Sequence, residues 1–344
     1  MRALHILFLL CATLLAGCAT TLSPDEQQLV AGKTYVITGA SSGFGRGVAL
    51  KLASMHANVV LAARRTNLLE EVATQARAAG GTPLVVTTDV SKPDEVRHLA
   101  EAAVARFGRI DVWINNAGVG AIGRFENIPV EDHSRLIDVN LKGVIYGSHA
   151  AMRQFRAQGR GVLVNIGSVE SEVPQAYHAS YAATKAAILS LGRALNEEIR
   201  LSGQRDIKVA TVMPWAVDTP FFNNTANYSG HTPRMVAMDD PAKVVDAIVR
   251  TSVFPREEVP VGWKARGAYW SHRIAPDLTE RISANIDHSE QFEKAAPAPN
   301  TSGSLFQPSP GGGGIEGGVR ARMEREDAAR KAGQQASPGS QPPG

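Results

Sequence analysis

From Lys33 onward, short continuous apolar runs alternate with amphipathic stretches, and this alternation constrains the fold more than any other feature of the chain. The runs are Tyr35-Val36-Ile37-Thr38, Val59-Val60-Leu61-Ala62, Leu84-Val85-Val86-Thr87, Asp111-Val112-Trp113-Ile114, Val162 to Gly167 and Lys208 to Met213. Helical stretches lie between them, such as Gly45 to Met55, and Ser91-Lys92-Pro93-Asp94 opens one with a capping residue and an early proline. Strands that are apolar along their whole length must be covered on both faces, and a parallel sheet with crossover helices does this. The predicted fold class is therefore α/β: one doubly wound domain, a mostly parallel sheet with helices on both faces. Ligands of such sheets bind beyond the carboxyl ends of the strands, so the segments that come after these runs should carry the chemistry.

The two ends of the chain differ from this middle. Residues Ala3 to Ala19 are an apolar run behind the single Arg2, short for a spanning helix but of the length of a signal segment. It ends in Leu15-Ala16-Gly17-Cys18, which resembles the lipobox of bacterial lipoproteins, where the cysteine is acylated and becomes the mature N-terminus. From about Ala295 the composition turns to Pro, Gly and Ser, which buries too little apolar surface to offset ordering, and a disordered tail is predicted. Val319 to Ala332 could form a transient helix within it. The expected organisation is a signal and lipobox segment (1–18), a linker (19–30), a catalytic domain (31–290) and the tail (291–344). The N-terminus thus predicts a membrane-associated protein, lipid-anchored in a bacterial envelope. The alternative is an uncleaved anchor at the cytoplasmic face of the inner membrane.

Charge and cysteine usage remove several function classes. A net charge of +3 with no long basic run gives nucleic-acid binding no electrostatic support. Both cysteines, Cys11 and Cys18, precede the folded domain, which is left without a thiolate for catalysis or metal. No spacing of His, Cys and carboxylates suggests a metal site.

Thr38-Gly39-Ala40-Ser41-Ser42-Gly43-Phe44-Gly45 lies between the first strand and the first helix. Glycines there permit a tight turn and let backbone N–H groups meet a pyrophosphate at the helix N-terminus. An NAD-binding chain places an Asp or Glu about twenty residues further on, to hold the ribose diol. Here Ala62-Ala63-Arg64-Arg65 stands in that place, and two guanidiniums could grip a 2′-phosphate instead. NADP is thus the expected cofactor and NAD the less favoured one. The glycine spacing resembles the short-chain dehydrogenase/reductase family, whose fold is a single Rossmann-like domain.

Tyr181-Ala-Ala-Thr-Lys185 puts a phenol and an ammonium on one face of a helix. A free tyrosine, with a pKa of about 10, is a poor base at neutral pH, and a neighbouring positive charge favours its phenolate. Tyr181 could then exchange a proton with a carbonyl or alcohol oxygen while hydride moves. Ser168 ends the fifth strand, upstream of Tyr181 by the interval found in the family, and its hydroxyl could steady charge on the reacting oxygen.

The resemblance runs from about Gly32 to Val259 and carries further roles. It places Asp89, in Asp89-Val90, at the adenine, and Asn116-Ala117-Gly118 of the Asn115-Asn116-Ala117-Gly118 motif at the cofactor. It makes Asn140 the holder of a water linking Lys185 to solvent. It also sets Pro214, Val217 and Thr219 at the nicotinamide carboxamide, although Trp215 replaces the family's glycine. If that glycine normally holds a positive φ, the tryptophan would be strained. The resemblance implies an NADP(H)-dependent enzyme interconverting a small-molecule carbonyl and an alcohol, expected as a homo-oligomer. A non-catalytic dinucleotide-binding protein or a membrane-tethered scaffold of the same fold are the alternatives.

Overall fold

The computed structural model describes residues 21–311 and 313–336; the proposed acylation site, Cys18, lies outside them. Seven strands form one parallel sheet: β1 (Thr34–Thr38), β2 (Asn58–Ala63), β3 (Thr82–Thr87), β4 (Val112–Asn115), β6 (Gly161–Ile166), β7 (Ile207–Pro214) and β9 (Glu258–Val261). Their order is β3-β2-β1-β4-β6-β7-β9, while the two-residue strands β5 (Ala121–Ile122) and β8 (Ala226–Asn227) pair separately. The fold is the Rossmann-like α/β arrangement that the apolar runs predict. The strand order reverses between β1 and β4, and a crevice opens at such a switch point.

Side-chain alternation along the strands feeds two cores. Tyr35, Ile37, Val59, Leu61, Val112 and Ile114 point to one face, against the helices Gly43–Ala53, Thr66–Ala78 and Pro241–Val253. Val36, Val60, Ala62, Trp113 and Leu163 point to the other, under the helices Pro93–Phe107, Gly143–Gln158 and Ala179–Ser202. Each fully buried Leu, Ile or Phe stabilises the fold by roughly 1.5–3 kcal/mol relative to its exposed state, so a one-residue slip of any strand would forfeit several such terms. Among the described residues no helix is long and apolar enough to cross a membrane.

The C-terminal segment departs from the predicted disordered tail. The amide of Asn227 donates to the Thr301 carbonyl at 2.8 Å, and that of Thr301 to the Asn227 carbonyl at 2.9 Å. Leu305 is fully buried in the second core, and Val319 packs with Phe222, Met235 and Met238. The helix Val319–Ala336 begins on Asp218, whose carboxylate accepts the amides of Val319 at 2.8 Å and Arg320 at 3.2 Å. An aspartate there satisfies orphan first-turn donors and meets the positive end of the helix dipole. Further along, Arg234, 1% exposed, pairs with Glu326 at 2.9 Å and Asp327 at 2.8 Å of that helix, and with Glu290 at 3.5 Å. Composition undervalues this segment because a few well-placed anchors hold it, not a continuous apolar face.

Removing one partner from a buried ion cluster strands the others, at a cost of about 3–5 kcal/mol. Arg234→Ala is expected to lower the urea midpoint accordingly and to speed limited proteolysis within residues 303–318. An unchanged digestion pattern together with a stability loss under about 1 kcal/mol, the range of ordinary surface changes, would show that the cluster does not hold the segment.

Candidate active site

The turn after β1 is closed by its neighbours across the switch point. The Thr38 hydroxyl donates to the Ile114 carbonyl at 3.3 Å and accepts the amides of Asn116 at 3.0 Å and Ala117 at 3.1 Å. Asn116 Nδ2 in turn donates to the carbonyls of Thr38 at 2.9 Å and Gly39 at 3.3 Å. Gly39 has φ +69°, and a Cβ on Gly45 would lie 2.3 Å from the Gly39 carbonyl oxygen, so both positions need glycine. Asn116 and Ala117 therefore shape the turn, in addition to lining the cleft.

Arg65 bridges this turn to the end of β2. Its Nη2 donates to Ser41 Oγ at 3.0 Å and Ser42 Oγ at 2.8 Å, while its Nη1 donates to the Gly311 carbonyl at 2.9 Å. Arg64, expected to share a phosphate with Arg65, is turned to the C-terminal segment instead. It donates to the carbonyls of Ser304 at 2.6 Å, Phe306 at 3.1 Å and Leu305 at 3.3 Å. The segment then passes over the turn, where the Gly43 amide donates to the Gly314 carbonyl at 2.9 Å. The Arg46 amide donates to the Ser42 carbonyl, and among the described residues no acceptor meets the first-turn amides of Phe44 and Gly45. Asp89 is committed as well: one oxygen takes the Ser91 hydroxyl at 2.7 Å, and the other pairs with Arg135 at 2.9 Å. Arg135 also holds the Leu305 carbonyl at 3.0 Å, so Asp89 indirectly braces the segment.

A single cavity of about 250 Å³ brings together every expected catalytic and cofactor residue except Gly45 and Asn140. Val90, Gly118 and Phe44 line it between the two ends. At one end are Arg65, Ser41 and Ser42; at the other are Ser168, Tyr181 and Lys185. Residues Ser304, Pro308 and Ser309 roof the first end, a contribution that no sequence motif announces.

The catalytic end is built from the ends of β6 and β7 and the start of the helix Ala179–Ser202. Ser168 Oγ accepts the Glu170 amide at 3.2 Å, which leaves the hydroxyl proton free to point into the cleft. Lys185 Nζ, 5.4 Å from the Tyr181 ring centroid, donates to the Ile166 carbonyl at 2.7 Å. Burial pulls the Lys185 ammonium down to about 8, against the opposing charge of Glu170. Burial, reinforced by Glu170, pushes the Tyr181 phenol up, with the Ser168 hydroxyl pulling the other way. Without a further positive charge Tyr181 is thus a neutral phenol, a proton donor.

Asn140 lies in a π-helical turn, Asp138–Lys142, of the kind that often marks functional sites. Its side-chain oxygen accepts the Val119 amide at 2.8 Å, and its Nδ2 donates to the Val119 carbonyl at 2.9 Å. The side chain thereby positions the loop after β4, and its Nδ2 also donates to the Thr184 hydroxyl at 3.4 Å, next to Lys185. Trp215 avoids the strain its substitution for glycine suggested, since the only non-glycine residues of positive φ among those described are His56, Tyr177 and Ala237. Its indole N–H donates to the Val236 carbonyl at 3.1 Å, and the loop is held by the Asp218 amide on the Asp239 carbonyl at 3.1 Å. Pro214, Val217 and Thr219 reach the cavity from this loop, with Trp215 itself.

Among the wall residues that the sequence does not single out are Glu170, Gln175 and His178, which lie close to Ser168 and Tyr181 along the chain. His178, which alone reads as a surface residue, is 11% exposed and lies 3.1 Å from Glu170 through Nδ1. Among the described residues no group of three or more His, Cys, Asp or Glu converges as a metal site.

Comparison with known proteins agrees with this geometry. A family model described as short chain dehydrogenase matches residues 33–229. An uncharacterised oxidoreductase of Bacillus subtilis, YxnA, is 30% identical over 277 residues, covering 80% of this chain and 78% of its own. An alcohol dehydrogenase from Thermococcus sibiricus, complexed with 5-hydroxy-NADP, superposes with a TM-score of 0.58 at 29% identity, covering 66% of this chain and 94% of its own. A 3-ketoacyl-(acyl-carrier-protein) reductase from Brucella melitensis, complexed with NADH, gives a TM-score of 0.59 at 28% identity, covering 67% and 96%. The fold, the glycine turn and the Ser168–Tyr181–Lys185 arrangement converge with these likenesses on one conclusion: the chain belongs to the short-chain dehydrogenase family of oxidoreductases.

Proposed function

We propose that the protein interconverts a carbonyl and an alcohol with NADP(H), Tyr181 acting as general acid in the reductive direction. The observation that carries this reading is the cavity that joins Arg65 and its serines to Ser168, Tyr181 and Lys185. The residues fit a dinucleotide. The amides of Phe44 and Gly45 suit a pyrophosphate at the helix N-terminus, and the Arg65–Ser41–Ser42 group suits a further phosphate. A bound nicotinamide supplies or accepts the hydride. The chain's own part is to aim the Ser168 hydroxyl at the reacting oxygen, to hold a proton on the Tyr181 oxygen, and to stabilise the phenolate left behind through Lys185. Among the solved relatives one is complexed with 5-hydroxy-NADP and one with NADH, so the phosphate preference rests on Arg65 rather than on kinship.

A charge-assisted contact from Arg65 to a 2′-phosphate is worth about 1.5–3 kcal/mol, or roughly ten- to a hundredfold in affinity. Direct titration is expected to show NADPH bound more tightly than NADH by that factor, and Arg65→Ala is expected to erase most of it. Equal binding of the two by the native protein would refute the preference. An envelope location through Cys18 is a separate proposal. Fatty-acid labelling should mark the native protein and spare Cys18→Ser, and an unlabelled native protein would end it.

Tyr181→Phe should abolish turnover while nearly preserving cofactor affinity, because it removes the proton but keeps the ring. The Lys185 ammonium is charged below about pH 8 and loses its charge above it. The kcat/KM for carbonyl reduction should therefore decline as the pH rises through that value, since the phenolate left after proton transfer loses its stabilising neighbour. A profile that stays flat to about pH 10, where an ordinary lysine titrates, would remove Lys185 from this role.

A further inference from the structure

The nucleotide end of the cavity has a floor that belongs to the sheet and a roof that does not. The floor comes from the ends of β2 and β3 and the residues just after them, with Ala63, Asp89 and Val90. The roof is Ser304, Pro308 and Ser309. Residues 303–311 are fixed on both sides of the opening. On one side the Ser304 amide donates to the Asn224 carbonyl at 2.8 Å, and the side chain of Leu305 is fully buried. Gly303 permits that approach, since it has φ +53° and a Cβ there would collide with the Asn224 carbonyl oxygen. On the other side the chain continues over the first helix, where the Gly313 carbonyl accepts Arg46 and the Gly314 carbonyl accepts the Gly43 amide. It then meets Asn223, whose Nδ2 donates to the Gly317 carbonyl at 2.7 Å, and the helix capped by Asp218.

Resting on the dinucleotide reading above, we infer that residues 303–311 are the outer wall of the nucleotide site, a strap that lies over the adenosine half of a bound NADP(H) and retains it, so that release waits for the strap to lift. Two observations favour a strap that encloses a nucleotide over one that takes its place. The first is that the cavity persists beneath the segment and runs without a break from Asp89 and Arg65 to Ser168 and Tyr181. The second is the chemistry of the contacts. Arg64 is held by the carbonyls of Ser304, Leu305 and Phe306, and Arg65 by those of Ser309 and Gly311. No side chain of residues 303–311 carries a charge, and Glu316, the one carboxylate of residues 313–318, is exposed. Neutral carbonyls orient a guanidinium without cancelling its charge, so the positive field of both arginines is left for an anion inside the cavity. A segment standing in for a phosphate would bring a carboxylate to them instead. Pro308 and Pro310 restrict the backbone of the span, which lowers the entropy lost each time it closes. A wall of this kind acts as lids do, by making release a conformational step.

The test follows release of NADPH. Protein loaded with NADPH and freed of excess nucleotide is mixed with a large excess of NADP, and the change in NADPH fluorescence gives the release rate. Two variants loosen the strap from positions outside the cavity wall. Leu305→Ala removes its buried anchor, and Arg234→Ala frees the helix that follows it from Glu326 and Asp327. Each is expected to release NADPH about tenfold or more faster than the native protein and to bind it more weakly, the equivalent of one lost anchor. A second measurement needs no variant and so stands even where both fail to fold. Chymotrypsin cuts after residues such as Leu305 and Phe306, and saturating NADP should slow cleavage of the native protein there, because the nucleotide seats the strap. Unchanged release in both variants, tighter binding of NADPH by them, or cleavage that NADP leaves unchanged or accelerates would overturn the strap. The segment would then be inert toward the nucleotide or displaced by it. A native protein that binds neither NADPH nor NADH fails the dinucleotide reading itself, and the strap with it. Binding by the native protein with unaltered release from the variants removes the strap alone.

Discussion

The close approach of the first helix to the end of β1 is the constraint on which the rest of the site depends. A Cβ at Gly45 would strike the Gly39 carbonyl at 2.3 Å, so any side chain there would push the helix off the sheet. With glycine present, Thr38 and Asn116 tie the turn to the β4 end, and the helix N-terminus faces the crevice at the strand-order reversal. This one contact fixes where an anion can be held. It also fixes the distance from that point to the ends of β6 and β7, since the parallel registers carry the geometry across the sheet.

From that frame the chemistry is assembled by strand ends and their loops. Ser168 follows β6, Trp215 and Val217 follow β7, and the helix Ala179–Ser202 brings Tyr181 and Lys185 to the same opening. Lys185 is held by a carbonyl of β6, so the ammonium is placed by the sheet and not by a flexible loop. Lys185 is buried and Tyr181 partly so, and desolvation raises the phenol and depresses the ammonium together; this opposed pair is what a bound positive charge would reset.

Much of this was legible because it is local. Six of the seven sheet strands are continuous apolar runs, and the glycine turn, Ser168, Tyr181 and Lys185 occur at fixed intervals along the chain. β9, with Glu258 and Pro260 among four residues, carries too little periodic signal to stand out. What escaped is whatever depends on distant partners. Arg64 and Arg65 read alike in sequence, yet one grips the C-terminal segment and the other the loop serines. That segment is poor in apolar residues, so its composition predicted disorder. It is held largely through its own backbone carbonyls, which composition does not weigh. Trp215 looked strained only because its φ could not be known; the backbone there is ordinary and the indole is anchored to Val236.

The roof over the nucleotide end has a consequence in time. Residues 303–336 emerge from the ribosome after every strand of the sheet, so during synthesis the crevice exists first as an open trough. The strands that bring β1 beside β4 are complete in sequence some two hundred residues before Ser304 appears. The last segment is thus made only after every strand it will lie over. The carbonyls of Ser304, Leu305 and Phe306 that hold Arg64 are therefore among the last parts of the cavity's surroundings to be synthesised.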